Sequence, residues 1–232
     1  MRYSHALALA ALLLLSACAA SVDPAMQRRV AEWFGKSSSA NYDATTAFTK
    51  PMPYAVGQYV VHGHTDGDDH MVVRTALVGR DGDAWIMETS SLTPSGETMM
   101  QMAVVGMEKV QESMNPDDLD IKWIKMRDSD GKVQTIDGPT LSLVKGSYSK
   151  ALTGIAINYN DQHGTASVRV PAGTFNGCTK AKSKVETFFG DYESEAFAHP
   201  SVPLNGVVRS VSLDNDAVTE LIEFGTNAKP SF

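Results

Sequence analysis

Short polar turns recur between apolar stretches along most of the chain, and their spacing restricts the fold more than any other feature. "TDGDD" lies between "YAVGQYVVHGH" and "HMVVRTALVG", Asp81-Gly82 between "LVGR" and "AWIMETSS", and "DSDG" between "IKWIKMR" and "KVQTI". Further on, "TASVRVPAG", "KVETFFG", "YESEAFA", "GVVRSVSL" and "AVTELIEFG" follow one another, with "DQHG", "GD" and "DND" at or near the joints. Asp-Gly and related pairs supply the positive φ angles that tight hairpins require. Connections this short leave no room for crossover helices, so neighbouring strands pair antiparallel.

Several strands carry apolar residues on both faces. Met71, Val73 and Leu77 alternate with Val72, Ala76 and Val78, and Ala84 and Ile86 alternate with Trp85 and Met87. A sheet wetted on one side alternates more cleanly. Cover on both faces suits a curved sheet wrapped around a helix, or a sandwich. Three helical stretches fit the pattern. "DPAMQRRVAEWF" has Asp23 as cap, Pro24 in the first turn, and Met26, Val30, Trp33 and Phe34 on one face. "MEKVQESMN", stopped by Pro116, places Met107, Val110 and Met114 together. Thr140 is positioned to cap "LSLVKGSYSKALTG", with Leu141, Val144, Tyr148 and Leu152 on a stripe.

The front of the chain is an address. The apolar run from Ala6 to Ala17 follows Arg2 and His5. Twelve helical residues reach about 18 Å, short of the roughly 30 Å of bilayer hydrocarbon. A basic start, a short apolar core and small residues before a cut site describe an export signal. Leu15-Ser16-Ala17-Cys18 resembles the lipobox of bacterial lipoproteins. That resemblance implies cleavage before Cys18, acylation of that cysteine, and attachment to a membrane through N-terminal acyl chains such as palmitate. In that family the residue after the cysteine guides sorting. Ala19 is not the aspartate of inner-membrane retention, which implies the outer membrane, facing the periplasm or the cell surface. The expected layout is therefore residues 1–17 as signal peptide, 18–52 as acylated N-terminus, short helix and polar tether, and 53–232 as a single antiparallel β-rich domain.

Bulk properties agree. The formal net charge is −7 with no block of like charge, which argues against nucleic acid as a partner. With Cys18 acylated, Cys178 is the only other cysteine, so no intramolecular disulfide is available. Cys178 reads as a small buried apolar residue.

"VPAGTFNGCTKAK", "EAFAHPSVPLNGVVRS", "TELIEFG" and the earlier "VGQYVVHG" resemble strands of uncharacterised bacterial envelope domains related to the half-barrels of Lol-type lipoprotein carriers and receptors. The resemblance implies a mainly β (α+β) fold in which a curved antiparallel sheet, a half-barrel, wraps one or two helices and an apolar cavity. Methionines cluster in the same region. Unbranched, polarizable side chains suit either an ordinary core or a pocket for an acyl chain or another apolar ligand. The candidate lining is Trp85, Met99, Met100, Met102 and the helical stripe Leu141, Val144, Tyr148 and Leu152.

Other constellations are weaker. His62, His64 and His70 in "HGHTDGDDH", with the neighbouring aspartates, offer ligands for zinc or copper, although turn chemistry already accounts for the aspartates and glycine. "SYSK", Ser147 to Lys150, has S-x-x-K spacing but lacks the companion S-D-N and K-T-G elements. "DSDG" lacks the closing glutamate of a calcium loop. No G-x-S-x-G, H-E-x-x-H or phosphate-cradling loop occurs. The sequence thus points to a non-enzymatic envelope lipoprotein without a cofactor, binding a lipid or apolar ligand within its sheet. The alternatives are an assembly module with a solid core that binds another envelope protein, and a metal-binding protein.

Overall fold

The computed structural model describes residues 22–113, 115–128, 130–143, 145–146, 162–187 and 190–231, the side chains of 116 and 183–192 excepted. The first element is α1 (Pro24–Phe34). Asp23 holds an extended backbone and its carboxylate accepts from the Ala25 N–H at 2.7 Å, satisfying one of the donors a helix start leaves free. Gly35 ends the helix.

The strands are β1 (Asn41–Asp43), β2 (Tyr59–Asp66), β3 (Asp69–Asp81), β4 (Ala84–Thr93), β5 (Gly96–Val105), β6 (Asp120–Arg127), β7 (Val133–Ile136), β8 (Gln162–Val170), β9 (Gly173–Thr187), β10 (Gly190–Ala198), β11 (Val207–Ser212) and β12 (Val218–Gly225). Among the described residues they form one sheet in the order β1-β9-β10-β11-β12-β2-β3-β4-β5-β6-β7, with β8 also paired to β9. Every pairing is antiparallel except β1 with β9, so the hairpin reading of the turns holds. Gly67 and Gly82 take φ of 58° and 60° in the tight turns, conformations that an L side chain would strain. Register shifts at Leu77/Gly79, Ala103/Val104 and Leu221/Glu223 bend the strands.

Curvature brings distant strands together. The Ala172 N–H in the β8–β9 turn donates to the Leu221 carbonyl on β12 at 3.0 Å. The inner face then buries one continuous core. It includes Leu77, Trp85, Met102, Ile124, Phe175, Val208 and Leu221, with Val110 of α2 (Met107–Ser113) and Leu141 on the helical side.

The outer face has its own cover, which explains the apolar residues on both sides of the strands. Helix α1 crosses the sheet from the β4–β5 turn, where Asp23 N–H donates to Pro94 O at 2.8 Å, to β12. Val30 packs on Val61, Val72, Leu92 and Ile222, with Met26, Trp33 and Phe34 around them. Gly63 lies beneath the helix because a Cβ there would stand 2.8 Å from Ile222 Cδ1 and 3.1 Å from the Phe34 ring. The C-terminal segment covers the middle of the same face. Ala228 N–H donates to Gly57 O, and Ser231 donates through N–H and Oγ to Glu88 at 2.9 and 2.7 Å.

Two expectations need correction. The segment read as a free tether over 35–52 is docked on the sheet. Tyr42 and Asp43 pair with Phe175 and Asn176, the Phe48 N–H donates to Thr179 Oγ1 at 2.8 Å, and Phe48 is 1% exposed. Its small polar residues serve hydrogen bonding along a strap, with the aromatic residues of the segment as its apolar anchors. The Phe48 ring also fills the space above Gly206, whose Cβ would lie 2.2 Å away. Thr140 is not a helix cap, because helical backbone begins at residue 138 and Leu141 N–H donates to Asp137 O.

Candidate functional site

The candidate lining residues divide. Trp85, Met100, Met102 and Leu141 meet on the inner face and belong to one cluster, each no more than 7% exposed. Met99 is not with them. It lies one position from Met100, so its side chain stands on the outer face, where Sδ accepts from Arg127 at 3.3 Å. Strand alternation alone forbids Met99 from sharing a face with Met100 and Met102. Val144, Tyr148 and Leu152 lie outside the described residues, as do Cys18 and the S-x-x-K run. Trp85 Nε1–H donates to Glu108 of α2 at 2.6 Å, which anchors the helix to the edge of the inner cluster.

The structure also separates the histidines. His62 and His64 face inward: His62 Nε2–H donates to Val207 O at 3.0 Å, and His64 Nδ1 pairs with Thr219 Oγ1 at 3.1 Å. His70 pairs in register with Thr65 and contacts Phe34 on the outer face, with ring centroids 4.9 Å apart. A three-histidine ligand set is therefore not assembled. Cross-strand partners share a face, and His70 is paired with Thr65, one position from His64, so it stands on the other side of the sheet; among the described residues no group of three potential ligands converges. Asp128 serves the β6–β7 hairpin, its Oδ1 accepting from the Asp130 and Lys132 N–H groups.

A groove of about 380 Å³, open to solvent, lies between the start of the strap, the β8–β9 turn and β12. Tyr42, Phe224, Ile222 and Ala172 form its apolar wall, and Lys36 and Glu223 its polar one. Tyr42 stacks on Phe175 with centroids 4.5 Å apart, so the wall is an extension of the core. Lys36 Nζ donates to Glu223 Oε2 at 2.7 Å while lying 3.3 Å from the Trp33 ring centroid. Tyr59 OH donates to Glu223 Oε1 at 3.0 Å. Burial pushes the Glu223 carboxyl up, but these two hydrogen bonds and the charges of Lys36 and Arg74 hold it below the ordinary carboxylate range. No local sequence signal marks this groove, because Lys36 and Glu223 are 187 positions apart.

Cys178 is fully buried, and burial pushes its thiol up to about 12. A thiol reagent applied to the folded protein at pH about 8 should modify less than about a tenth of Cys178. Unfolding in denaturant should release the full equivalent, and rapid labelling of the native protein would refute the assignment.

Burial also lowers the pKa of His62, of His64 (against Asp66), and of His199 (against the Asn176 backbone and Asp43). As pH falls below the ordinary histidine value of 6.5, the unfolded chain takes up protons before the folded one does. Stability is therefore full above that value and is lost on acidification toward the folded pKa values. The urea midpoint should drop between about pH 7 and 5.5, before Glu223 contributes. A midpoint that is flat over this window would contradict the neutral buried state of these rings.

The fold defines a mainly β protein built on one open, curved antiparallel sheet with covered faces. No family model matches the sequence, and no curated protein matches it. Among solved structures, a candidate lipoprotein from Parabacteroides distasonis ATCC 8503 is 14% identical, with a TM-score of 0.35, covering 78% of this chain and 100% of that one. A candidate exported protein with a YmcC-like fold from Bacteroides fragilis NCTC 9343 is 12% identical, with a TM-score of 0.35, covering 76% and 99%. Among the described residues no helix is long and apolar enough to cross a membrane.

Proposed function

We propose that this chain is an acylated lipoprotein of the cell envelope that works by binding, not catalysis, with its domain acting as an interaction module. The observation that carries the reading is Leu15-Ser16-Ala17-Cys18 at the close of the apolar run. Several acyl chains, each contributing about 0.8 kcal/mol per buried methylene, make a lasting anchor that needs no spanning helix. The outer membrane is the expected site, since Ala19 follows the cysteine. Expression in a Gram-negative host with an alkynyl fatty acid should give a labelled protein whose N-terminal residue is Cys18. The Cys18→Ser chain should be unlabelled and leave the membrane fraction. A mature chain that begins at Met1, or carries no added hydrocarbon, overturns the proposal.

Binding at the surface is favoured because Trp85, Met100, Met102 and Leu141 pack against one another as core. A second reading, an apolar ligand held inside the sheet, draws on the adaptability of those two methionines beside α2. Native mass spectrometry of signal-deleted protein separates the two. The surface reading expects no co-purifying lipid, whereas a stoichiometric acyl lipid would establish the internal one.

A further inference from the structure

The acyl anchor and the start of the folded domain are close in sequence, and this restricts how the domain sits on a membrane. Four residues separate Cys18 from Asp23. Fully extended, five Cα steps span about 18 Å. Asp23 is fixed to the β4–β5 turn by its hydrogen bond to Pro94 and by its cap on α1. The turns β2–β3, β6–β7 and β11–β12 are at the same end of the sheet, because Gly96 follows that turn, Met99 pairs with Arg127, Leu92 with Val72, and Thr65 with Val218. Asn215 Nδ2–H donates to Asp66 at 3.3 Å and ties two of these turns together. The β3–β4 turn at Gly82 lies at the opposite end of β4, a strand of ten residues and about 30 Å.

We propose that the end of the sheet formed by residues 66–69, 93–96, 128, 130–132 and 213–217 is the face the domain turns toward the lipid surface, and that it fits zwitterionic headgroups. The proposal rests on acylation of Cys18. The anchor's reach is well short of the length of β4, so the end bearing Asp23 is held near the headgroups while the Gly82 end projects away. The headgroup preference follows from charge. Asp68, Asp69, Asp128, Asp130, Asp214 and Asp216 are exposed at this end, against exposed Arg28 and Lys132, half-buried Arg127, and an Arg29 already paired with Glu97 at 2.9 Å. An anionic bilayer repels such a rim, and a phosphatidylethanolamine or phosphatidylcholine surface does not. The acyl chains therefore supply the affinity, and the turns set the orientation and lipid preference.

The test uses full-length acylated protein in vesicles with nitroxide-labelled headgroups. A fluorophore is attached at Ser95→Cys or at Asp83→Cys, two exposed positions at opposite ends of β4. Co-flotation and intact mass are measured on the same samples. In phosphatidylethanolamine/phosphatidylcholine vesicles the Ser95 probe should be quenched at least about threefold more than the Asp83 probe. Adding about 30% phosphatidylglycerol should reduce quenching at Ser95, and raising the salt toward 0.5 M should restore it. A chain that floats and carries acyl mass but shows equal or reversed quenching overturns the orientation and leaves the acylation reading intact. Quenching that ignores lipid charge overturns the headgroup preference. A chain without acyl mass that fails to float overturns the acylation reading and this proposal with it.

Discussion

Phe175→Ala is expected to destabilise the protein by about 3–5 kcal/mol, the range for removing a large aromatic side chain from a filled core. Phe175 is fully buried where the strap and the sheet meet. It stacks on Tyr42 at 4.5 Å, meets His199 edge-on at 5.3 Å, and contacts Phe224 at 6.0 Å. Truncation loses the transfer free energy of the ring and leaves a space that three neighbouring aromatic rings cannot close without moving. The urea midpoint should fall with little change in slope, and the melting temperature should drop by roughly 2–4 °C per kcal/mol for a chain of this length. Phe175→Leu should cost less than half as much. Because Tyr42 loses its stacking partner, hydrogen exchange in β1 should also accelerate in the alanine variant. A loss below about 1 kcal/mol would mean that Phe175 does not hold the strap to the core.

Glu88→Ala is expected to cost about 3 kcal/mol, the lower part of the range for removing one partner of a buried ion pair. Glu88 is fully buried although it sits on the outer face, because the C-terminal segment lies over it. Its carboxylate accepts from Arg74 at 3.2 Å, Gln101 at 2.9 Å, and Ser231 through N–H and Oγ. The alanine variant strands these donors together. Arg74 keeps some contact with water, which moderates the loss. Glu88→Gln preserves the shape but removes the charge and one acceptor, so it should cost less than Glu88→Ala. The specific signature is local: amide exchange and carboxypeptidase cleavage over residues 226–231 should accelerate before the sheet opens. Unchanged protection of that segment would show that the carboxylate does not hold it.

The hairpins were legible because turn chemistry is local. "TDGDD" and Asp81-Gly82 announce their own geometry, and Asp23-Pro24 announces the helix that follows. The candidate lining was legible in part: Met100 and Met102 share a face with Trp85, whereas Met99 is excluded by alternation, a rule the sequence already contained. The face of His70 is not legible in the same way, since it depends on which residues flank the turn pair. The strap was misread because small polar residues look alike whether solvated or docked. Only Tyr42 and Phe48 distinguish the two, and only once their partners are known.

The sequence by itself determined most of the strands, their pairing with neighbours in antiparallel hairpins, and where the first helix begins, because each of these follows from contacts within a few residues; β1, inside the segment read as a tether, and β5 are not among the strands it announces. The tertiary structure alone decided that the strap docks, that the C-terminal segment seals Glu88, and that a groove forms at Lys36 and Glu223. Those contacts join positions 131, 143 and 187 residues apart. Their worth depends on burial that exists only after the sheet has curved.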